Sequence, residues 1–179
     1  MQLQQKVSER SHPGRGQRHV VDVPRRGLRY QVAASTDIGA RLEVVWDLYC
    51  DPHRYPEIAH ATERMLHVPD GPMGVGYTYK EVGVLGPFKS EDEWTVTEFE
   101  PERRQVHRVG EGAMALHLEI DLEPTPSGCR ITQGLGVEPR GAMKVMAPVL
   151  WPLFMRRLVQ HAMERTVANV KAAAEATRA

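Results

Sequence analysis

The sequence predicts an α+β fold: a seven-stranded antiparallel sheet, a long C-terminal helix, and two short helices after the first strand. Three observations predict it. Between residues 61 and 138, six apolar-rich segments alternate in polarity and are separated by Gly/Pro turns, and short connections favour antiparallel neighbours. Just after the first strand the apolar period lengthens from two to the helical value. From about residue 141 the strand signals stop and good helix formers take over.

The first strand runs over Leu28–Thr36, with Tyr30, Val32 and Ala34 on one face. Ser35, Thr36 and Asp37 offer side-chain oxygens for a helix N-cap. Leu42, Val45, Trp46 and Tyr49 then make the one-sided stripe of an amphipathic helix. Asp51-Pro52 ends that helix, and Pro52–Ile58 leaves room only for a short second one, bounded by Pro56. The next strands are Ala61–Val68, Tyr77–Val84, Phe88–Phe99, Arg104–Val109, Ala113–Leu122 and Cys129–Glu138. Turn residues such as Asp70-Gly71-Pro72, Gly86-Pro87 and Pro124-Thr125-Pro126-Ser127-Gly128 punctuate them.

Alternation also assigns faces. Met114, Leu116, Leu118, Ile120 and Leu122 share one side of their strand, against Ala115, His117, Glu119 and Asp121 on the other. One face of the sheet is therefore packed and the other wet. In the last strand the inward set is Cys129, Ile131, Gln133, Leu135 and Val137. The C-terminal helix is expected over about Gly141 to Ala174. Pro148 and Pro152 lie in its apolar first half and each removes a backbone donor, which predicts a kink or a broken first segment. Its second half, from Arg156, is amphipathic.

Charge is unevenly spread. Residues 1–27 hold six Lys/Arg against two Asp/Glu, and residues 28–179 hold seventeen against twenty-one, so a formal net charge of zero combines a basic tail with an acidic body. The tail has no sustained periodicity and reads as a flexible extension, with contact to anionic lipid or nucleic acid as the alternative. Residues 28–179 read as a single domain. An acidic body argues against a nucleic-acid-binding domain. The longest apolar run, Val145–Met155, is interrupted by two prolines and too short to span a bilayer, so no transmembrane segment is expected and peripheral membrane contact stays open. No apolar signal segment opens the chain, which points to a cytoplasmic protein. Cys50 and Cys129 stand far apart in no metal-ligand spacing and are expected as free thiols. Without a nucleophile motif, phosphate loop or paired-histidine motif, no cofactor or metal is expected.

Several stretches resemble the SRPBCC (START-like, polyketide cyclase/dehydrase) superfamily. Val44-Val45-Trp46-Asp47-Leu48 with Asp51-Pro52-His53-Arg54-Tyr55-Pro56 is similar to its opening pattern. Gly74-Val75-Gly76 resembles its turn after the second strand. The run from Trp94 to Arg104 is similar to its central strand and turn, and Gly128 to Gln133 to the start of its last strand. The likeness covers about Leu28 to Ala174. It implies a helix-grip fold, in which the sheet wraps the long helix and an apolar small molecule is held between them. The superfamily hosts aromatase/cyclases, lipid and quinone carriers and chaperone-activating modules, so the likeness specifies fold better than function.

A cavity of this kind would be mostly apolar, with a few polar groups that fix orientation. Met114, Leu116 and Leu118 from one strand, and Met143, Met146, Leu150 and Phe154 from the helix, are candidate lining; methionines suit an adaptable wall. Tyr77, Tyr79 and Glu81 share one strand face, and Asp92, Trp94 and Val96 share another. Trp94 and Val96 suggest that their face is the packed one, which turns Asp92 toward the cavity as a ligand contact or a base. His107 is a second candidate for proton transfer, but the apolar neighbours Val106 and Val109 lie on opposite faces and leave its orientation open. Gln133 is an inward amide that needs a partner, whether ligand or backbone. The leading expectation is a module that binds a lipid, quinone or polyketide-like aromatic. An aromatase/cyclase or dehydratase and a protein-interaction module are the alternatives. Two titratable groups within hydrogen-bond reach inside the cavity would favour the enzyme, and a solid core the interaction module.

Overall fold

The turns set the topology. In the computed structural model, which describes residues 28–110 and 112–177, every strand lies antiparallel to its sheet neighbours, as the short turns from the third strand to the last require and as the first strand, joined to the last by no turn, also does. The strands are β1 (Tyr30–Ile38), β2 (Thr62–His67), β3 (Thr78–Leu85), β4 (Phe88–Glu100), β5 (Arg104–Val109), β6 (Met114–Thr125) and β7 (Gly128–Pro139). They form one seven-stranded sheet in the order β1-β7-β6-β5-β4-β3-β2. Only β1 leaves sequence order; it pairs with β7 after α1 and α2 have carried the chain across to β2 at the far edge. The expectation for residues 1–27 falls outside the described residues.

Two turns show why particular residues stand where they do. The β3–β4 hairpin is closed by Gly86-Pro87 between the paired residues Leu85 and Phe88. Gly86 has φ of +60°, the glycine-favouring conformation of a two-residue hairpin, and Pro87 presets the negative φ that follows. At the start of β7, Gly128 has φ of +154° and lies so close to the carbonyls of Ile38 and Ala40 that a Cβ would collide with both. The end of β1 and the β6–β7 turn therefore meet through bare backbone.

Helix α1 spans Leu42–Cys50, a 3₁₀ turn follows at Pro52–Arg54, and α2 spans Tyr55–Ile58. Val45, Trp46 and Tyr49 of the predicted stripe are buried, Leu48 is buried beside them, and Leu42 packs at the edge. The predicted caps are different. Ser35, Thr36 and Asp37 belong to β1, which stays paired with β7 as far as Ile38, so α1 starts only after Arg41, without a side-chain cap. The sheet's hydrogen bonds hold those residues extended, and a cap cannot form inside a strand.

The C-terminal helical rod has three parts: α3 (Met143–Leu150), a π-helical turn (Trp151–Met155) and α4 (Arg156–Ala176). The prolines produce a widened turn here rather than a break. Pro152 has no N–H to donate, and the ladder resumes with the Arg156 N–H bonding the Trp151 carbonyl five residues back. On α4, Val159, Ala162, Met163, Thr166, Val167, Val170 and Ala174 form the buried stripe, which packs mainly on β1 and β7 and against α1 and α2. The larger apolar cluster lies under α4, α1 and α2. A smaller one gathers Tyr30, Val137 and Ala147, with Met114, Leu116 and Trp151 at its border.

Candidate functional site

Register decides which side chains share the concave face beneath the helix, because directly paired residues on neighbouring strands point the same way. One row runs Ala34, Gln133, Ile120, Gln105, Phe99. The next runs Val32, Leu135, Leu118, His107, Val96. A bulge in β4 at Thr97 lets both Val96 and Phe99 face inward. Toward the far edge, Trp94 stands opposite Tyr79, and Asp92 opposite Glu81, which in turn faces Met65.

The polar side chains in these rows bond to one another. His107 is fully buried. Its Nε2 lies 2.9 Å from Gln105 Oε1 and its Nδ1 lies 3.1 Å from the Tyr79 hydroxyl. Gln105 Nε2 donates to Cys50 Sγ at 3.4 Å, so Gln105 Oε1 is the acceptor left for His107. That assigns the proton to Nε2 and leaves Nδ1 to accept from Tyr79. Burial pushes the His107 pKa down to about 4, so the ring is neutral at pH 7. Burial likewise raises the Tyr79 phenol well above its ordinary value, with Tyr55 and Glu81 adding to the effect. Burial also raises the Cys50 thiol, to about 11.

Glu81 is a second buried group. It accepts from Thr62 Oγ1 at 2.8 Å and from Trp94 Nε1 at 2.9 Å. Burial raises its pKa, and these two hydrogen bonds oppose the rise. Gln133 is 3% exposed and accepts from the Tyr49 hydroxyl at 2.8 Å. Tyr55 donates to the Tyr49 carbonyl at 2.7 Å and sets its ring edge-on to Tyr79, with centroids 5.4 Å apart. Thus α1 and α2 close one end of the grip and satisfy its polar groups. No Lys or Arg stands in these rows.

The middle of the face is less closed. Leu118 and Leu135 are cross-strand partners on β6 and β7, both pointing toward the helix layer. Together with Leu116 they keep partial exposure, while His107 and Val96 in the same row are fully buried. Among the described residues, the two apolar clusters meet through Leu116 and Trp151 at this place. Solvent therefore reaches an apolar patch beneath the helical rod, next to the buried polar string.

The sequence-derived candidates divide accordingly. Tyr79, Glu81, Trp94, Val96, His107 and Gln133 come together in the buried interior of the face. Asp92 is on the same face but half-buried at the rim, where Ser90 Oγ donates to it at 2.7 Å. Tyr77 is also at the rim, its hydroxyl donating to the Pro69 carbonyl at 2.8 Å. Met114 and Leu116 border the smaller cluster, and Met143 and Leu150 are half-buried on α3. Met146 and Phe154 depart from the expectation: they are 50% and 37% exposed, because α3 and the π-helical turn bury only Ala147 fully. The sequence reading missed Gln105, Tyr49, Tyr55 and Cys50. Period-two alternation places Gln105 beside His107, the one signal that pointed to it. Among the described residues no three His, Cys, Asp or Glu side chains are grouped as metal ligands would be.

Comparison with known proteins agrees with this architecture. Residues 29–175 match the model of the family described as polyketide cyclase / dehydrase and lipid transport. The chain belongs to that family. Among solved structures, TTHA0849 from Thermus thermophilus is 20% identical, with a TM-score of 0.69 over 83% of this chain and 99% of that one. A START superfamily protein from Mycobacterium smegmatis is 13% identical, with a TM-score of 0.66 over 83% and 99%. The di-domain ARO/CYC BexL of the BE-7585A biosynthetic pathway is 16% identical, with a TM-score of 0.66 over 82% of this chain and 50% of that one. At these identities the likeness is one of fold. No curated protein matches the sequence significantly.

Proposed function

We propose that the chain binds a hydrophobic small molecule, of the lipid, quinone or polyketide-aromatic kind, between the sheet and the helical rod. The observation that carries this reading is the partial exposure of Leu116, Leu118 and Leu135 on a face the helix covers. An apolar molecule there removes leucine surface from water, at roughly 25 cal/mol per Å². Its polar end meets Glu81, Tyr79 and Asp92 rather than any cation, so a neutral hydroxyl or carbonyl suits the site and a carboxylate or phosphate does not. The test is titration with a neutral hydroxylated anthraquinone, followed by fluorescence. Saturable one-to-one binding is expected, with at least about tenfold loss in Leu118→Trp, which crowds the space over the partly exposed leucines, and in Trp94→Ala, which removes an aromatic wall. Absence of saturable binding to any apolar probe, with no ligand copurifying in native mass spectrometry, overturns the reading.

One observation favours the catalytic alternative: Tyr79 and His107 are titratable groups within hydrogen-bond reach. Their acidities argue against proton transfer between them. Burial holds the phenol well above its ordinary value and holds the imidazole down at about 4, so moving the proton from one to the other is strongly uphill. The pair serves better as a neutral hydrogen-bonding surface, which ranks binding ahead of cyclase or dehydratase chemistry. Product formation from a poly-β-ketone chain, lost in Asp92→Asn or His107→Gln while ligand affinity is kept, reverses that order.

A further inference from the structure

The part of the helical rod that covers little of the core carries an unusual surface. On α3 and the π-helical turn, Val145, Met146, Val149, Leu153 and Phe154 are 80%, 50%, 59%, 66% and 37% exposed. Val145, Val149 and Leu153 follow one another at helical spacing. Phe154 stacks on Phe88, itself 48% exposed at the tip of the β3–β4 hairpin, with centroids 6.2 Å apart. The apolar surface thus runs from the helix onto the hairpin. A contiguous patch of this kind normally has a partner.

Charge identifies the partner. From Pro139 to Met163 the chain has no Asp or Glu, but it has Arg140, Lys144, Arg156 and Arg157. All four cations are exposed. Without them, residues 28–179 hold thirteen Lys/Arg against twenty-one Asp/Glu, so the cations are concentrated beside the apolar stripe of an otherwise acidic body. A second copy docked face to face would set these cations against each other. Residues 1–27, with six Lys/Arg against two Asp/Glu, carry the same sign and complement the patch no better.

We propose that α3 and the π-helical turn, with the hairpin tip at Phe88, form a docking surface for an anionic lipid bilayer. The rod lies in the plane of the interface: the exposed aliphatic and aromatic side chains enter the acyl boundary and the four cations meet lipid phosphates. No described helix is long and apolar enough to cross a membrane, and α3 with its π-helical turn spans only about 20 Å. The surface is separate from the partly exposed Leu116, Leu118 and Leu135 and does not depend on what binds there.

Sedimentation of the full chain with vesicles tests this, using phosphatidylcholine alone and phosphatidylcholine with about 30 mol % phosphatidylglycerol. At least about tenfold tighter binding to the anionic vesicles is expected, weakening as salt rises. Val149→Ser with Leu153→Ser changes no charge and alters only exposed positions. It is expected to cut binding at least about tenfold while the circular dichroism spectrum stays unchanged. Lys144→Glu with Arg156→Glu and Arg157→Glu is expected to abolish the preference for anionic vesicles. Undiminished binding by the serine variant overturns the proposal and assigns lipid contact to the basic residues 1–27. Equal binding to both vesicle types, or none, also overturns it. So does a wild-type dimer that the serine variant dissociates, since a second copy is then the occupant.

Discussion

His107 makes the buried polar string measurable through acid stability. In the unfolded chain its imidazole titrates near 6.5, and in the folded chain near 4. Between those values the unfolded state holds more protons than the folded one, so stability must fall as pH falls through that window. Full expression of the gap corresponds to about 3 kcal/mol by pH 4, and about 2 kcal/mol of it has developed by pH 5. Burial is the cause, since neither Gln105 nor Tyr79 offers a charge to hold an imidazolium. Glu81 works in the opposite direction: its raised pKa makes the folded state prefer the protonated form, so acid relieves the cost of burying it. The measurement is therefore a difference of differences. Urea unfolding is run on the wild type and on His107→Gln at about pH 8 and about pH 5. The substitution costs stability at both values through its lost hydrogen bonds, and that cost cancels. What remains is expected to be a wild-type acid loss about 2 kcal/mol larger than the variant's. Matching acid losses, within about 0.5 kcal/mol, would refute the assignment of His107 as a neutral, desolvated ring.

Two further outcomes follow from the packing. Gly128→Ala places a methyl group against the carbonyls of Ile38 and Ala40 at a φ of +154°, and is expected to cost more than about 2 kcal/mol in chemical unfolding; a loss under about 0.5 kcal/mol means that β1 and the β6–β7 turn separate freely. Deletion of residues 1–27 is expected to shift the thermal midpoint by less than about 2 °C, since their polar, basic composition offers few apolar groups to a core; a larger drop means that the segment packs on the domain.

Much of the fold was legible in the sequence because its signals are local. Gly and Pro punctuation marks the turn between β3 and β4 at Gly86-Pro87 to the residue, since that hairpin needs a positive φ followed by a proline-like one. Alternation in β6 marks Leu116, Leu118, Ile120 and Leu122 as inward, because side-chain direction in a strand depends only on parity. Where sequence reasoning stopped, the competing force came from another part of the chain. Ser35, Thr36 and Asp37 have cap chemistry, but pairing with Thr132, Ile131 and Arg130 of a strand nearly a hundred residues later keeps them in β1. In β5, Val106 is buried on the convex side and Val109 on the concave one, so the two-fold pattern that would orient His107 is absent.

The sequence by itself determined the elements, their order, and the parity of Tyr79, Glu81, Asp92, Trp94 and Gln133, because each rests on dihedral preference or on period. It left open the partner of every one of them. Whether Gln133 would meet ligand or protein depended on where α1 places the Tyr49 hydroxyl. The state of His107 depended on Gln105 and Tyr79 arriving from two residues before it on its own strand and from β3. Whether Met146 and Phe154 would line the interior or meet solvent depended on how far the prolines let α3 and the π-helical turn settle onto the sheet. Only the tertiary structure decided these points, since hydrogen bonds and burial depend on distances between residues far apart in the chain, which local preference does not constrain.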